Sequence, residues 1–254
     1  MVLGLQPVRE LLKRHGRQVH DVLVQAGESP RLEALARYAQ DQGAPCRRVS
    51  AAELDHLGRG TRHQGVAAFG PPLSLSPLSE ILERPDLLAL ALDGIVDPQN
   101  FGATVRSAVG LTEAPILWGE NGAAPLTPST FRASAGAIEH AVLCRVPSLH
   151  GALHEAALQG IQVIGLDPTA TTPLEDLHLE NPTILVIGSE EKGMGRAVRK
   201  SCTALGRLTN TARIQSLNAS VAAALALYTA VLHRRRAAGG PPQRASDASD
   251  PSTE

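Results

Sequence analysis

"LALALDGIVDPQNFGATVRSA", residues 88–108, joins a continuous apolar run to a polar turn and then to a helical pattern. The run ends at Gly94, Pro98 sits in the turn, and Phe101–Gly110 has the spacing of a helix with Asn100 at its N-cap. A short apolar strand leading into a helix is what a parallel sheet covered on both faces requires. The same alternation recurs in "PILWG", "AVLCRV", "IQVIGL" and "TILVIG". From Leu87 onward the pattern therefore predicts a doubly wound α/β domain.

Upstream lies a smaller α/β unit. Leu5, Val8, Leu11 and Leu12 have helical spacing, "DVLVQA" reads as a strand, and Ser29-Pro30 opens a helix that Gly43 stops. Ser50 and Glu53 form a capping box for another helix, and "HQGVAAFG" reads as a strand. The prolines and serines of "GPPLSLSP", residues 70–77, offer no periodic face and mark a linker, taken as 70–84. The expected division is thus 1–69, linker, 85–236, and a tail at 237–254 with the composition of a disordered segment. Before that tail, "SLNASVAAALALYTAVLHRRR" carries an apolar stripe through Leu217, Val221, Leu225, Tyr228 and Leu232, the face such a helix turns to its core.

Bulk properties narrow the function classes. The chain has 254 residues, 43% of them apolar and only 2% aromatic, so aliphatic side chains build the core and base-stacking platforms are scarce. A formal net charge of −1 excludes a histone-like polyanion binder, while a local basic face remains compatible with nucleic acid. Cys46, Cys144 and Cys202 are odd in number and form no CxxC pair, which implies free thiols in a reducing compartment. The first residues carry charges and no apolar signal region, and no apolar run approaches membrane-spanning length, so a cytoplasmic protein is expected.

Parallel sheets bind ligands beyond the carboxyl ends of their strands, and three turns qualify: 93–102, 188–195 and 208–218. Neither G-x-G-x-x-G after a strand nor G-x-x-x-x-G-K-[ST] occurs, which argues against a dinucleotide fold or a P-loop enzyme. In the first turn Asn100 could simply cap helix amides, and Arg106 could be a solvated charge or a bidentate phosphate ligand. In the second, Glu190 precedes Gly193, where a missing side chain lets backbone approach a ligand. The third reads as a strand ending at Leu208, followed by polar residues and a helix start at Ser216 and Asn218.

Taken in order, Asn100-x-Gly102-x-x-x-Arg106, Gly188-x-Glu190-x-x-Gly193 and Ser216-Leu217-Asn218-x-Ser220 resemble the three motifs of the SpoU (TrmH) family of RNA ribose 2′-O-methyltransferases. "SAGAIE", Ser134–Glu139, resembles the family's pattern between the first two. Residues 1–69, with "GLQPVRELL" and "RHQGVAA", resemble the substrate-binding domain of the 23S rRNA guanosine 2′-O-methyltransferase subgroup. The resemblance spans about residues 3–236. Where that family has Ile-Pro-Met followed by Gly, this chain has Leu208-Thr209-Asn210 and Ala212.

The resemblance implies a trefoil-knotted α/β fold, S-adenosylmethionine as cofactor with Gly188, Leu208 and Leu217 as its contacts, an RNA substrate and a homodimer. It implies neither a metal nor a membrane. It places Asn100, Arg106, Glu190, Ser216 and Asn218 in the catalytic site. An arginine keeps its proton at neutral pH, so Arg106 is expected to act by charge and orientation rather than as a free base. Asn100 would orient the arginine or the ribose, Glu190 would brace the site, and Ser216 and Asn218 would shape the cofactor loop.

Competing readings are an idle RNA-binding or ribosome-assembly protein of the same fold, and a methyltransferase acting on tRNA or at an antibiotic-resistance rRNA site. The intact Asn100, Arg106, Glu190 and Asn218 favour the enzyme over the idle protein, and the N-terminal domain favours ribosomal RNA as its substrate. His150 and His154 have metal-compatible spacing but lack a third ligand, so surface histidines are expected. "RRR" at 234–236 reads as a solvated helix end, and His63-Gln64-Gly65 as a turn before a strand.

Overall fold

The computed structural model describes residues 1–121, 126–209 and 216–239. Its first unit runs β1 (Val2–Leu3), α1 (Leu5–His15), β2 (Asp21–Gln25), α2 (Pro30–Asp41), β3 (Cys46–Val49), α3 (Ala51–Gly58) and β4 (Val66–Phe69). The sheet order is β1-β4-β2-β3, with β4 antiparallel to β1 and β2, and β2 parallel to β3. Two strands escape the sequence reading. β1 has only two residues, and β3 exposes Arg47 and Arg48 at its centre, so neither shows an apolar run. Ser50 Oγ accepts from Glu53 N at 3.2 Å, but the Glu53 carboxylate turns to Arg47 at 3.1 Å, so only half of the capping box forms.

The stretch expected to be a linker is partly structured. Leu75 bridges to Leu143, and α4 (Leu78–Leu82) buries Ile81 and Leu82. A five-residue helix is too short to display a period.

The second unit follows as β5 (Leu88–Asp93), α5 (Pro98–Leu111), β6 (Ile116–Gly119), α6 (Pro128–Ala133), a 3-10 turn (Ala137–His140), β7 (Leu143–Val146), α7 (Leu149–Leu158), β8 (Gln162–Leu166), β9 (Thr183–Gly188), α8 (Arg196–Ser201), β10 (Ala204–Gly206) and α9 (Ala219–Ala237). Among the described residues its sheet has the order β10-β8-β9-β5-β6-β7, parallel throughout. Both faces are covered, as expected. Leu88, Leu90 and Leu92 of β5 join Leu185 and Ile187 of β9 under α5 and α9, while Ala89 and Ala91 join Ile184 and Val186 under α4, α7 and α8. Phe101 and Trp118 pack edge to face at 5.4 Å inside the first of these layers.

Two expectations about α9 are overturned. Its buried face is Ala219, Ala223, Ala226, Leu227 and Ala230, whereas Val221, Leu225 and Tyr228 are 46%, 43% and 49% exposed. Small side chains let α9 lie close against α5, and the larger apolar residues are turned outward. Nor is Arg234 part of a solvated helix end: its guanidinium donates to the carbonyls of Leu179, Asp86, Leu87 and Asn181 at 2.7–3.0 Å. Periodicity cannot distinguish an arginine in water from one fastening a helix to strand starts.

Candidate functional site

At the centre of the parallel sheet β5 and β9 run side by side and end with Asp93 opposite Gly188. Beyond them the chain folds back at once. Ser189 and Gly193 exchange backbone hydrogen bonds of 3.1 and 2.8 Å, closing a tight turn over the end of β9. A Cβ on Gly188 would sit 2.2 Å from the Gly193 carbonyl carbon and 2.3 Å from Met194 N, so no other residue fits there. Asp93 Oδ2 accepts from Gly195 N at 2.7 Å and ties the loop to the neighbouring strand.

This loop places Glu190 against two helix starts. Asn100 Nδ2 donates to Glu190 Oε1 at 2.6 Å, Asn218 Nδ2 donates to the same oxygen at 2.7 Å, and Asn218 Nδ2 also lies 2.9 Å from Asn100 Oδ1. Ala219 N, in the first turn of α9, donates to Glu190 Oε1 at 3.3 Å, which sets the carboxylate at the positive end of that helix. The expected capping roles change accordingly. Asp97, not Asn100, caps α5 by accepting from Gln99 N, and the helix starts earlier than expected, at Pro98. The start of α9, expected at Ser216 and Asn218, is capped by Asn218, which accepts from Ser220 N and Val221 N.

Beside this triangle lies a cavity of about 780 Å³, lined by Gly188, Glu190, Leu208, Ser216 and Leu217 together with Asp167, Met194 and Ala219. Its volume lies within the roughly 300–1,000 Å³ of small-molecule sites. The strand before Leu208 ends at Gly206, two residues earlier than expected, which leaves Leu208 free of the sheet at the cavity wall. Asn210 and Ala212, which depart from the family pattern, lie outside the described residues.

Arg106 stands apart. It is exposed on α5, and among the described residues no side chain pairs with it. Gly102, one turn before it, is pressed on α6, where a Cβ would come within 2.5 Å of Ala133 Cβ and 2.7 Å of Thr130 O. The other candidates resolve locally. Gln64 Oε1 accepts from Leu5 N, His63 holds Gly65 N and Asp55, and His150 Nδ1 lies 2.9 Å from Ser148 Oγ.

The sequence reading missed Asp93 and Asp167. Asp167 lies just beyond β8, accepts from Thr169 N at 2.8 Å and pairs with Arg199 at the cavity edge. Both aspartates follow apolar runs, and the rule that ligands bind beyond strand carboxyl ends would have marked them.

Comparisons with known proteins identify the family. Residues 87–228 match the model of the SpoU rRNA Methylase family, and residues 1–75 match that of RNA 2′-O ribose methyltransferase substrate binding. The chain is 35% identical over 240 residues to an uncharacterized tRNA/rRNA methyltransferase of Mycobacterium ulcerans, covering 92% of this chain and 77% of that one. It is 36% identical, with the same coverage, to one of Mycobacterium leprae. Among solved structures it is similar to the SpoU methyltransferase AviRb of Streptomyces viridochromogenes in complex with the cofactor AdoMet, at 26% identity and a TM-score of 0.75, covering 94% of this chain and 91% of that chain. A methylase domain over Leu87–Tyr228, preceded by a substrate-binding domain, makes this chain a member of the SpoU family of S-adenosylmethionine-dependent RNA methyltransferases.

Proposed function

We propose that the protein methylates a ribose 2′-hydroxyl of RNA with S-adenosylmethionine, that its substrate is a guanosine of 23S rRNA, and that it works as a cytoplasmic homodimer. The observation that carries this reading is the joining of all three motifs at one place: Asn100, Glu190 and Asn218 share hydrogen bonds beside a cavity walled by Gly188, Leu208 and Leu217. The donor set suits the cofactor, since Leu208, Leu217 and Met194 offer apolar walls for a flat ring, and Asp167 and Glu190 offer carboxylates for a cationic ligand. When bound, that cofactor supplies an electrophilic methyl group.

The chain's own residues do the rest. The shared Glu190 oxygen locks α5 and α9 together and fixes the floor on which a ribose is oriented. Arg106, with its guanidinium unengaged by described side chains, is available to grip an RNA phosphate and to stabilise the charge that develops on the 2′-oxygen as its proton leaves. The exposed stripe of Val221, Leu225 and Tyr228 on α9 supports the homodimer, because such a row of large apolar side chains marks an interaction surface. Residues 1–69 serve as the RNA-binding domain and 85–236 as the methyltransferase domain, whose trefoil knot belongs to the same proposal.

The deciding experiment maps methylated riboses in RNA from a strain lacking the gene and from its complemented parent. Loss of one 2′-O-methyl mark in 23S rRNA supports the reading. Loss of a tRNA mark redirects the substrate, and no change in any RNA sinks the proposal.

A further inference from the structure

Ser134–Glu139 is a motif that the methyl-transfer site leaves unused, and it lies between the two sheets. On one side Ile138 is buried with Phe101 and Val105 of α5, the helix that carries Asn100 and Arg106. On the other side sits α1 of the N-terminal unit. Gly136 adopts φ +83°, and a Cβ there would come within 2.8 Å of Glu10 Cβ and 2.9 Å of Pro7 Cα, so α1 rests directly on this glycine.

Two histidine–carboxylate contacts flank that glycine. His15 Nε2 of α1 lies 3.0 Å from Glu139 Oε2, and His140 Nε2 lies 2.9 Å from Glu10 Oε2, also of α1. The pairs have opposite polarity: α1 presents a base to Glu139 and an acid to His140. Both contacts are made only while α1 stays seated on Gly136. Neighbouring contacts point the same way, since Phe131 packs against both cores and Arg132 Nη1 donates to Arg62 O at 3.1 Å. Glu139 is buried, and among the described residues its Oε1 has no hydrogen-bond partner. Stability alone does not favour a buried carboxyl with an orphaned oxygen.

We propose that Ser134–His140 couples the RNA-binding domain to the active-site helix, with Glu10, His15, Glu139 and His140 as positioning residues that set where a folded RNA meets the methyl-transfer site. The inference rests on the RNA methyltransferase reading. It adds that register between the domains, rather than either domain alone, selects the target ribose. The seam is contiguous, from α1 through Gly136 and Ile138 to α5.

The test uses the full chain carrying His140→Ala, Glu10→Ala, or the exchanged pair Glu10→His with His140→Glu, which keeps the contact with reversed polarity. A folded 23S rRNA fragment and a short single-stranded oligonucleotide serve as substrates, cofactor affinity is read by calorimetry, and the radius of gyration by small-angle X-ray scattering. Each single variant should raise KM for the folded fragment about tenfold with kcat within about twofold. Oligonucleotide kinetics and cofactor affinity should stay unchanged, the radius of gyration should grow, and the exchanged pair should restore KM to within about threefold. Unchanged KM and size in the single variants overturn the proposal, as does failure of the exchange to restore either. If the unaltered protein methylates no RNA, the functional reading has failed. Scattering then decides the coupling alone, with growth supporting it and constancy overturning it.

Discussion

One amide nitrogen of Asn218 serves two acceptors, Glu190 Oε1 at 2.7 Å and Asn100 Oδ1 at 2.9 Å, while its oxygen caps the helix behind it. A single side chain thereby joins the start of α9, the start of α5 and the loop after β9. Asn218→Ala removes the cap, worth about 1 kcal/mol, and should lower Tm by roughly 2–4 °C in a chain of this size. Methyl transfer should fall by about tenfold or more because the floor loosens. Calorimetry and a radiolabelled transfer assay measure both, and normal turnover would remove Asn218 from the site.

Arg106 is the opposite case, a charge that no described side chain engages. Arg106→Ala should slow methyl transfer by about 100-fold while changing stability by less than about 0.5 kcal/mol. Cofactor binding should hold within about threefold, and Arg106→Lys should not restore activity, since lysine lacks the planar fork. Near-normal turnover in the alanine variant would end the role assigned to it.

Leu217 walls the cavity. Leu217→Arg introduces bulk and a positive charge where a cationic ligand is to bind, so affinity for S-adenosylmethionine should fall about 100-fold, or roughly 3 kcal/mol. Isothermal titration reads this directly. Unaltered affinity would mean that the cofactor binds elsewhere.

The exposed row on α9 makes a test of assembly. Leu225→Glu places a charge at the middle of Val221, Leu225 and Tyr228 and should yield a monomer in sedimentation equilibrium, with Tm of the protomer nearly unchanged. A dimer that survives this change uses another face.

Burial holds the carboxyl of Glu139 above the usual carboxylate range, more than the neighbouring His15 pulls it down. A carboxyl raised in the folded state favours folding when protonated, and that contribution is lost as pH rises through the folded value. Glu139→Gln should therefore gain stability relative to the unaltered protein as pH rises from about 4, the ordinary carboxylate value, with the difference shrinking at the acid end. Thermal unfolding across that range measures the trend. A variant that becomes relatively less stable as pH rises would contradict it.

Much of the parallel sheet was legible because buried strands such as Leu88–Asp93 and Thr183–Gly188 are continuous apolar runs, and glycines punctuate their ends. The resemblance supplied the chemistry that periodicity could not. What stayed hidden depended on distant partners. Asn100 looked like a cap because its bond to Glu190 spans 90 residues, while Asp97, the actual cap, stood three positions earlier. The stripe on α9 was misread because alanine carries little hydrophobic weight yet makes the closest helix contact. Arg234 and Glu139 were unreadable for the same reason: their surroundings come from segments 50 to 150 residues away.

The four carbonyls held by Arg234 have a consequence for synthesis on the ribosome. The groups that meet at the site are spread from Asn100 to Asn218, and the guanidinium that anchors the helix behind Asn218 comes 16 residues later still. Until that arginine emerges, α5 has no α9 to cover Phe101, Val105 and Ala108 and the triangle has no third corner. A nascent chain thus lacks this arrangement until α9 is in place.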